Sequence, residues 1–396
     1  MLGLTRTFYQ YLGLHSLLIG IFPFFIPVFL WKQGFELGAI SIFIGSAGFG
    51  FCFGLYAWDR LRSSISLFNL ILASLLLEMA LLWNVDVLGM RFNVLLLLGF
   101  CYGVYNCFFW TTQRALFFER VDTSNSGRKY GNLQIYVGLL LQIGIVVGGI
   151  LLEMAGYGSV VLLSAVLCLV GLAMFYLQKP STPRALAAFT PVSLGAIFSF
   201  RDGDASRLTF VIDGVFLFLE SFFWVISLFL LAHESFARLG FMVLSLAAIF
   251  GVIFYLLKNT IDRLGRRRIY RLSVVLYALS WGLRALVDDD LPLTVLFLAL
   301  VVITFCTSFF RLAMNKRFYD LARETLDHRY LVMKSYYSQI TIAVVFTVFG
   351  IAILGRTDSE TLLVPVYWFA AAGSFVFLLY GAARYDHPAT RTEQAI

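Results

Sequence analysis

A few ionisable side chains stand inside long apolar segments, and these residues are the best candidates for chemistry. Asp213 and Glu220 lie in segment 207–232, and Arg311 lies in segment 292–314. A charged side chain at the centre of a bilayer costs at least about 2.5–3.5 kcal/mol, so it usually has a partner or a function. The spacing of Asp213 and Glu220 puts both acids on one helical face. Such a pair can bind protons or a cationic solute, although Asp213 can also simply cap a helix.

Arg311 belongs to a polar stripe whose spacings of three and four keep its members on one helical face. The stripe consists of Thr304, Thr307, Ser308, Arg311 and Asn315. Two interpretations stay open. Arg311 can have a functional role, either by binding an anionic group of a substrate or by pairing with an acid of segment 207–232. Alternatively, it can extend its guanidinium to the head groups of the inner leaflet.

Further candidates come from the first half of the chain. Segment 92–114 contains Tyr102, Tyr105, Asn106 and Trp110 on similar faces, and aromatic surfaces of this kind suit flat organic ligands. With 41 phenylalanines in the chain, plain packing is the alternative for any one ring. Two isolated polar residues are also candidates, namely His15, which can titrate near neutrality, and Gln142. We interpret Glu78 as structural or as a partner of another segment.

The elements that hold these residues must be membrane helices. The chain of 396 residues is 60% hydrophobic and 13% charged, with a mean hydropathy of +0.85. Soluble domains carry roughly 45–50% apolar and about 25% charged residues, so an ordinary soluble enzyme is excluded. The apolar runs are too long and uniform for barrel strands. We predict an all-α membrane protein with spans at 7–31, 37–58, 65–85, 92–114, 130–154, 158–177, 207–232, 238–258, 270–288, 292–314, 331–354 and 362–383.

The basic residues predict the orientation of the spans. With the N-terminus inside, 24 of the 30 lysines and arginines fall on the cytoplasmic side, and we count Lys334 among them. The opposite side receives Lys32, Arg91, Arg238, Arg284 and Arg356. We therefore expect a multi-pass protein of the cell (inner, cytoplasmic) membrane with both termini in the cytoplasm.

The two halves of the chain resemble each other. At an offset of 201 residues, "CFFWTTQRALFFE" at 107–119 faces "SFFRLAMNKRFYD" at 308–320. With two more residues of offset, "WDRLRSS" at 58–64 faces "IDRLGRR" at 261–267. Internal duplication of this kind is typical of transporters. It predicts six-helix bundles at 1–177 and 207–384, a cytoplasmic linker at 178–206 and a tail at 385–396. In the linker, "VSLGAIFSF" is either a short amphipathic helix or ordinary loop.

The paired loops of the repeat carry a motif. Residues 262–268 read "DRLGRRR", and the partner loop reads "DRLR" at 59–62. Glycine permits a tight turn there, and arginines hold helix ends on the cytoplasmic side. The motif resembles the signature of the major facilitator superfamily, whose fold is two pseudo-symmetric bundles with twelve helices in all. The resemblance implies a gating role for Asp262, Arg263, Gly265, Arg266, Arg267, Asp59 and Arg60. The alternative is that the arginines only enforce topology.

The resemblance implies a secondary active transporter that moves a small organic solute by rocker-switch alternating access, with protons as the candidate coupling ion. An uncoupled facilitator and a drug or siderophore exporter remain alternatives. "GIVVGG" at 144–149 is similar to a motif of drug/proton antiporters, although small residues at helix contacts explain it equally well. A membrane sensor of the same fold and a membrane enzyme are the alternatives outside transport.

Several absences are expected from the sequence. The four histidines are scattered, and no nucleotide-binding GxxxxGK[ST] loop occurs, so we predict no enzyme, no metal site and no cofactor. The five cysteines all lie in apolar runs and are expected to be unpaired. The expected partners are the solute, the lipid bilayer and protons, without nucleic acid, and we expect a monomer.

Overall fold

The computed structural model describes residues 2–87, 91–118, 126–178, 190–261, 266–324, 328–356 and 359–381. Every regular element within these ranges is helical, as predicted. The first half contains α1 (Leu2–Ile21), α2 (Ile26–Lys32), α3 (Leu37–Leu61), α4 (Leu67–Val87), α5 (Phe92–Phe118), α6 (Ser126–Met154) and α7 (Tyr157–Gln178). A 3-10 turn at Pro23–Phe25 separates α1 from α2, because proline lacks the amide that continues a helix.

The second half begins with the linker helix α8 (Leu194–Ser199). It continues with α9 (Ser206–Phe218), α10 (Trp224–Leu231), α11 (Phe236–Ile261), α12 (Arg266–Arg284), α13 (Leu293–Glu324), α14 (His328–Ile353) and α15 (Leu363–Gly373). A π turn at Leu219–Phe223 joins α9 to α10. Two 3-10 turns, Ser359–Leu362 and Ser374–Leu379, flank α15.

Nine helical segments of the described chain are long and apolar enough to cross a membrane. They coincide with predicted spans and run over Arg6–Lys32, Leu37–Leu61, Leu67–Val85, Phe92–Phe117, Ile135–Met154, Tyr157–Gln178, Ser206–Leu231, Leu293–Ala322 and Arg329–Ile353. The other predicted spans correspond to α11, to α12 and to the shorter apolar segment Leu363–Leu379. Helix α13 extends beyond the predicted end at 314 to Glu324, since its polar last turns still favour helix.

The two halves pack against each other along two helix pairs, α3 with α14 and α6 with α11. At one end of these pairs, which we call the distal face (loops 33–36, 232–235 and 354–356), polar contacts join the halves. The Glu153 carboxylate accepts the Phe236 amide at 3.0 Å, and the Glu36 carboxylate accepts the Gly355 amide at 2.9 Å. The distal face is therefore closed in this conformation.

The linker lies against both halves at the opposite end, which we call the linker face (residues 190–205). Ser193 caps α8 by accepting the Ala196 amide at 3.2 Å. Ile197 of α8 is buried, and its carbonyl accepts the Tyr337 hydroxyl at 2.5 Å. Of the two interpretations that the sequence leaves open for this stretch, the structure shows a short helix. It is docked on α14 of the second half.

Glycines of α6 allow close helix contacts, which confirms the packing interpretation of "GIVVGG". A side chain at Gly148 would meet the backbone of Ile21 on α1. One at Gly149 would meet the backbone carbonyl of Phe236 on α11 at 2.6 Å. Helix α6 therefore packs closely against the backbone of α1 in its own half and against the backbone of α11 in the other half. The five cysteines are free, as expected.

We predict that Gly148→Ala lowers the melting temperature of the purified protein, because the added methyl group overpacks the contact between α6 and α1. Overpacking typically costs about 1–3 kcal/mol. Gly138→Ala is the matched control on the same helix, where a side chain would meet nothing within 4 Å. Thermal unfolding in detergent gives the comparison, and equal melting temperatures for the two variants would contradict it.

Candidate functional site

The two acids of the first candidate pair lie in the interior of the second half. Asp213 sits in the middle of α9, only 4% exposed, so the helix-cap interpretation is wrong. Glu220 lies in the π turn that follows α9. A π turn inserts an extra residue in the helix and so changes the direction of the side chains around it, and such turns are frequent at functional sites.

Arg311 of α13 lies between the two acids. Its Nη1 donates to Asp213 Oδ1 at 2.5 Å, and its Nε donates to Glu220 Oε2 at 3.0 Å. Of the interpretations that the sequence leaves open, the structure shows pairing with the acids. It does not show extension to the head groups. One guanidinium thus contacts two acids that lie two helical turns apart, one in α9 and one in the π turn that follows it.

Tyr277 of α12 completes the surroundings of Glu220. Its hydroxyl donates to Glu220 Oε1 at 2.5 Å, so both carboxylate oxygens have a donor. The Tyr277 ring stacks on Phe310 with centroids 4.0 Å apart, which fixes the hydroxyl in place. The sequence gives no reason to select this tyrosine among 19.

Lys334 of α14 supplies a second cation. Its Nζ lies 3.2 Å from Asp213 Oδ2, and the residue is 8% exposed. In the orientation prediction Lys334 counts only as a charge of the cytoplasmic side, whereas the structure buries it in α14, inside the predicted span 331–354. Asp213, Glu220, Arg311 and Lys334 form what we call the four-charge cluster, with two positive and two negative groups. Because removal of one member of a buried ion pair typically costs about 3–5 kcal/mol, this balance matters for stability.

Arg284 is also inside the protein. The sequence places it within the predicted span 270–288, toward the side opposite the cytoplasm, and the structure buries it at the last residue of α12. The residue is 3% exposed, and its guanidinium lies over the Trp281 ring at 4.2 Å. Its Nη2 donates to Thr307 Oγ1 at 2.8 Å. The candidate Thr307 therefore contacts Arg284, and the candidate Asn315 donates to the Arg311 carbonyl at 2.8 Å. Thr307 and Asn315 therefore both form hydrogen bonds within the second half in this conformation.

The aromatic candidates of α5 lie beside the second half. Trp110 Nε1 donates to Asn106 Oδ1 at 3.1 Å, and Asn106 donates to the Tyr102 carbonyl at 2.8 Å. The Tyr102 ring approaches Phe222, two residues after Glu220, with centroids 6.0 Å apart. Phe43 of α3 approaches the same phenylalanine ring at 5.9 Å. Aromatic rings from both halves therefore meet next to the π turn.

Other candidates lie elsewhere in the first half. His15 and Tyr105 are buried inside it, with ring centroids 6.2 Å apart. Glu78 lies 3.3 Å from His15, so this acid is the partner of another span. Gln142 is half-buried on α6, and its side-chain oxygen has no hydrogen-bond partner within the described ranges. The same ranges contain no group of three metal-ligating side chains.

The halves also touch on the linker side of the four-charge cluster. Arg114 of α5 donates to Ser335 of α14 at 3.0 Å. The Phe117 and Tyr319 rings meet edge to face with centroids 4.9 Å apart. The space between the halves is thus restricted on both sides of the cluster.

The predicted gating motif is described only in part. Asp262, Arg263 and Gly265 lie outside the described residues, as does the side chain of Arg266, and Arg267 is half-buried in the first turn of α12.

The first copy of the motif is described in full. Asp59 is 1% exposed, accepts Arg62 Nε at 2.8 Å and accepts the Val192 amide of the linker at 2.7 Å. Arg60 is exposed and stacks on the Tyr56 ring at 3.3 Å. Asp59 therefore fastens the linker to the end of α3.

We predict that Asp59→Asn weakens this attachment, because the amide side chain offers one acceptor where the carboxylate offers two. Hydrogen–deuterium exchange at the Val192 amide should become at least about tenfold faster, which corresponds to about 1.4 kcal/mol. Arg60→Gln is the control, since Arg60 bonds to the Tyr56 carbonyl and stacks on the Tyr56 ring of its own helix. Unchanged exchange in Asp59→Asn would show that other contacts hold this segment.

Comparisons with known proteins agree with this architecture. Two crystal structures of the nucleoside transporter NupG match the chain, one of them of a point mutant. The mutant structure has a TM-score of 0.69 and 14% identity, with coverage of 95% of this chain and 99% of that chain. The other has a TM-score of 0.63 and 17% identity, with coverage of 95% and 98%. The search of curated proteins gives no match. The family model of the Major Facilitator Superfamily matches residues 11–324, and the chain therefore belongs to that superfamily of membrane transporters.

Proposed function

We propose that the protein is a secondary active transporter of a small organic solute, with twelve spans, working by rocker-switch alternating access. Family membership supports transport in general. The four-charge cluster supports the more specific proposal of a transporter for a small organic solute. It places a balanced set of donors and acceptors between α9, α13 and α14. We further propose that the helices of residues 1–177 and 207–384 move as two bundles about the linker.

Recognition in this proposal is a competition for Arg311. In the present conformation both of its acids are already satisfied, by the guanidinium, by Tyr277 and by Lys334. A solute with a polar or anionic group gains a charge-assisted hydrogen bond only by displacing one of these partners. The acids and Arg311 lie on different helices. Loss of one ion pair on solute binding would therefore weaken the attraction between those helices. This gives a physical link between occupancy and conformation.

The solute class that we propose to test first is nucleosides. The similar solved structures are of a nucleoside transporter, which at their low identity shows the fold alone. A second support comes from the chain itself. Tyr102 and Trp110 offer flat rings, and Asn106 and Arg311 offer groups that can bond to a base or to ribose hydroxyls. An aromatic drug or siderophore fits the rings as well, so it belongs in the same screen.

The proposal also covers the orientation in the membrane, the two gates, the oligomeric state and the coupling ion. We place both termini in the cytoplasm, so the linker face is cytoplasmic and the distal face is external. The contacts at Glu36 and Glu153 then form the external gate, and those at Arg114 and Phe117 form the internal one. We propose that the protein works as a monomer in the cell membrane, with protons as the coupling ion.

We predict that uridine or another nucleoside raises the melting temperature of the purified protein and is taken up by proteoliposomes, because a ligand stabilises the state that it binds. Arg311→Lys should reduce uptake at least about tenfold, since a lysine cannot bridge both acids and loses a bond of about 1.5–3 kcal/mol. Lys316→Arg is the matched control on the same helix, where the lysine pairs with Asp320 at 3.0 Å.

Three outcomes separate the alternatives. Stabilisation by drugs or siderophores but by no nucleoside moves the proposal to an exporter of those compounds. Exchange of solute that never becomes concentrative under a pH gradient indicates an uncoupled facilitator. A variant Arg311→Lys that transports as wild type does would show that the four-charge cluster has no role in recognition.

A further inference from the structure

A second buried ionisable pair lies in the first half, away from the four-charge cluster. His15 on α1 and Glu78 on α4 are both fully buried, and His15 Nδ1 lies 3.3 Å from Glu78 Oε2. The rings of Phe109 and Tyr11 cover the imidazole, with centroids 4.2 and 4.7 Å away. Burial of two ionisable groups among apolar side chains costs free energy unless each group stabilises the other.

The other ring nitrogen of His15 faces Ser74 on α4. The Ser74 oxygen lies 2.8 Å from the Ile71 carbonyl oxygen, accepts from the Tyr11 hydroxyl at 3.1 Å and lies 3.0 Å from His15 Nε2. His15 Nε2 donates to this hydroxyl in one tautomer and accepts from it in the other.

The protonation of the pair decides its total charge. A neutral imidazole beside the Glu78 carboxylate leaves a net negative charge among apolar side chains, and such a buried charge is costly. One additional proton, carried by His15 or by Glu78, makes the pair neutral in total, and we call it the bridging proton.

The groups around the pair, among the described residues, are neutral. The titratable groups that face it are Tyr11 on α1, Tyr105 on α5 and Cys168 on α7, and α4 itself adds Ser74. Tyr105 is fully buried and faces Glu78. Loss of the bridging proton would leave the Glu78 carboxylate beside a neutral imidazole. The proton can leave only when a movement of the helices lets water or another acceptor reach the pair.

The duplicated half shows that the fold does not require this pair. At the repeat offsets of 201 and 203 residues, His15 corresponds to Phe216 and Glu78 to Trp281. Those two rings contact each other edge to face, with centroids 5.5 Å apart. The same junction between the first and third spans of a bundle is thus apolar in one half and protonatable in the other. Packing alone gives no reason for the difference.

We propose that His15 and Glu78 form a proton-binding site, and that this site carries the coupling proton of the transporter. Release transfers the bridging proton to water and leaves neutral His15 beside the Glu78 carboxylate, and uptake reverses the step. The site communicates with the space between the halves through Phe109, which touches both His15 and Trp110. The coupling role depends on the proposed transport function, whereas proton binding by the pair does not.

Infrared difference spectroscopy between acidic and alkaline buffer tests proton binding directly on the reconstituted protein. Wild type should show pH-dependent carboxyl or imidazole bands that disappear in Glu78→Gln and change in His15→Gln. Asp289→Asn, at an exposed acid between α12 and α13, is the control and should keep them. Glu78→Asp provides a second variant if Glu78→Gln fails to fold. Identical spectra for wild type and the Glu78 variants would overturn the proposal.

Proteoliposomes test the coupling role, with uridine as the probe. Glu78→Gln should lose accumulation driven by a pH gradient, by at least about tenfold, while it retains exchange at equal pH on both sides. Accumulation as in wild type would overturn the coupling role. If wild type itself never moves uridine, the proposed nucleoside transport fails, and the infrared result still decides whether the pair binds a proton.

Discussion

The second half of the molecule is organised by one electrostatic constraint, the need to neutralise Arg311 away from water. A guanidinium cannot lose its charge in a protein, so its surroundings must supply anions. Asp213 and Glu220 supply them from one helix, and the π turn lets Glu220 reach a different side of the guanidinium from Asp213. Two anions then exceed one cation, and Lys334 restores neutrality from α14. Three helices are thereby tied together by charge in a region where apolar packing alone would specify little.

The two halves use their shared architecture differently. At the position that Arg311 occupies in the second half, the first half has Trp110, which bonds within its own helix. At the positions of the apolar contact between Phe216 and Trp281, the first half has the His15–Glu78 pair. At equivalent positions of the repeat, the second half thus has a charge cluster and the first half has a buried pair of ionisable residues. We propose that this asymmetry divides solute recognition and proton binding between the two halves.

Hydropathy is enough to predict the helical class and most span positions, because burial in lipid imposes long apolar runs. The ionisable candidates Asp213, Glu220 and Arg311 can also be found in this way, since charge inside such a run is expensive. Tyr277 and Lys334 escape prediction as site residues, because their roles depend on which helices become neighbours. The same limit leaves Glu78 without an assigned partner. The cost of an isolated charge is local and visible in a sequence, whereas the identity of its partner is a property of tertiary packing.

We infer that charge balance within the four-charge cluster stabilises the second half. The decisive experiment is thermal unfolding of wild type, Arg311→Gln, Glu220→Gln and the double variant Arg311→Gln/Glu220→Gln. Within the four-charge cluster, each single change leaves one net charge, whereas the double change leaves the balanced pair of Asp213 and Lys334. We expect the double variant to melt at a higher temperature than Arg311→Gln alone. A double variant that loses as much stability as the two single variants combined would contradict it.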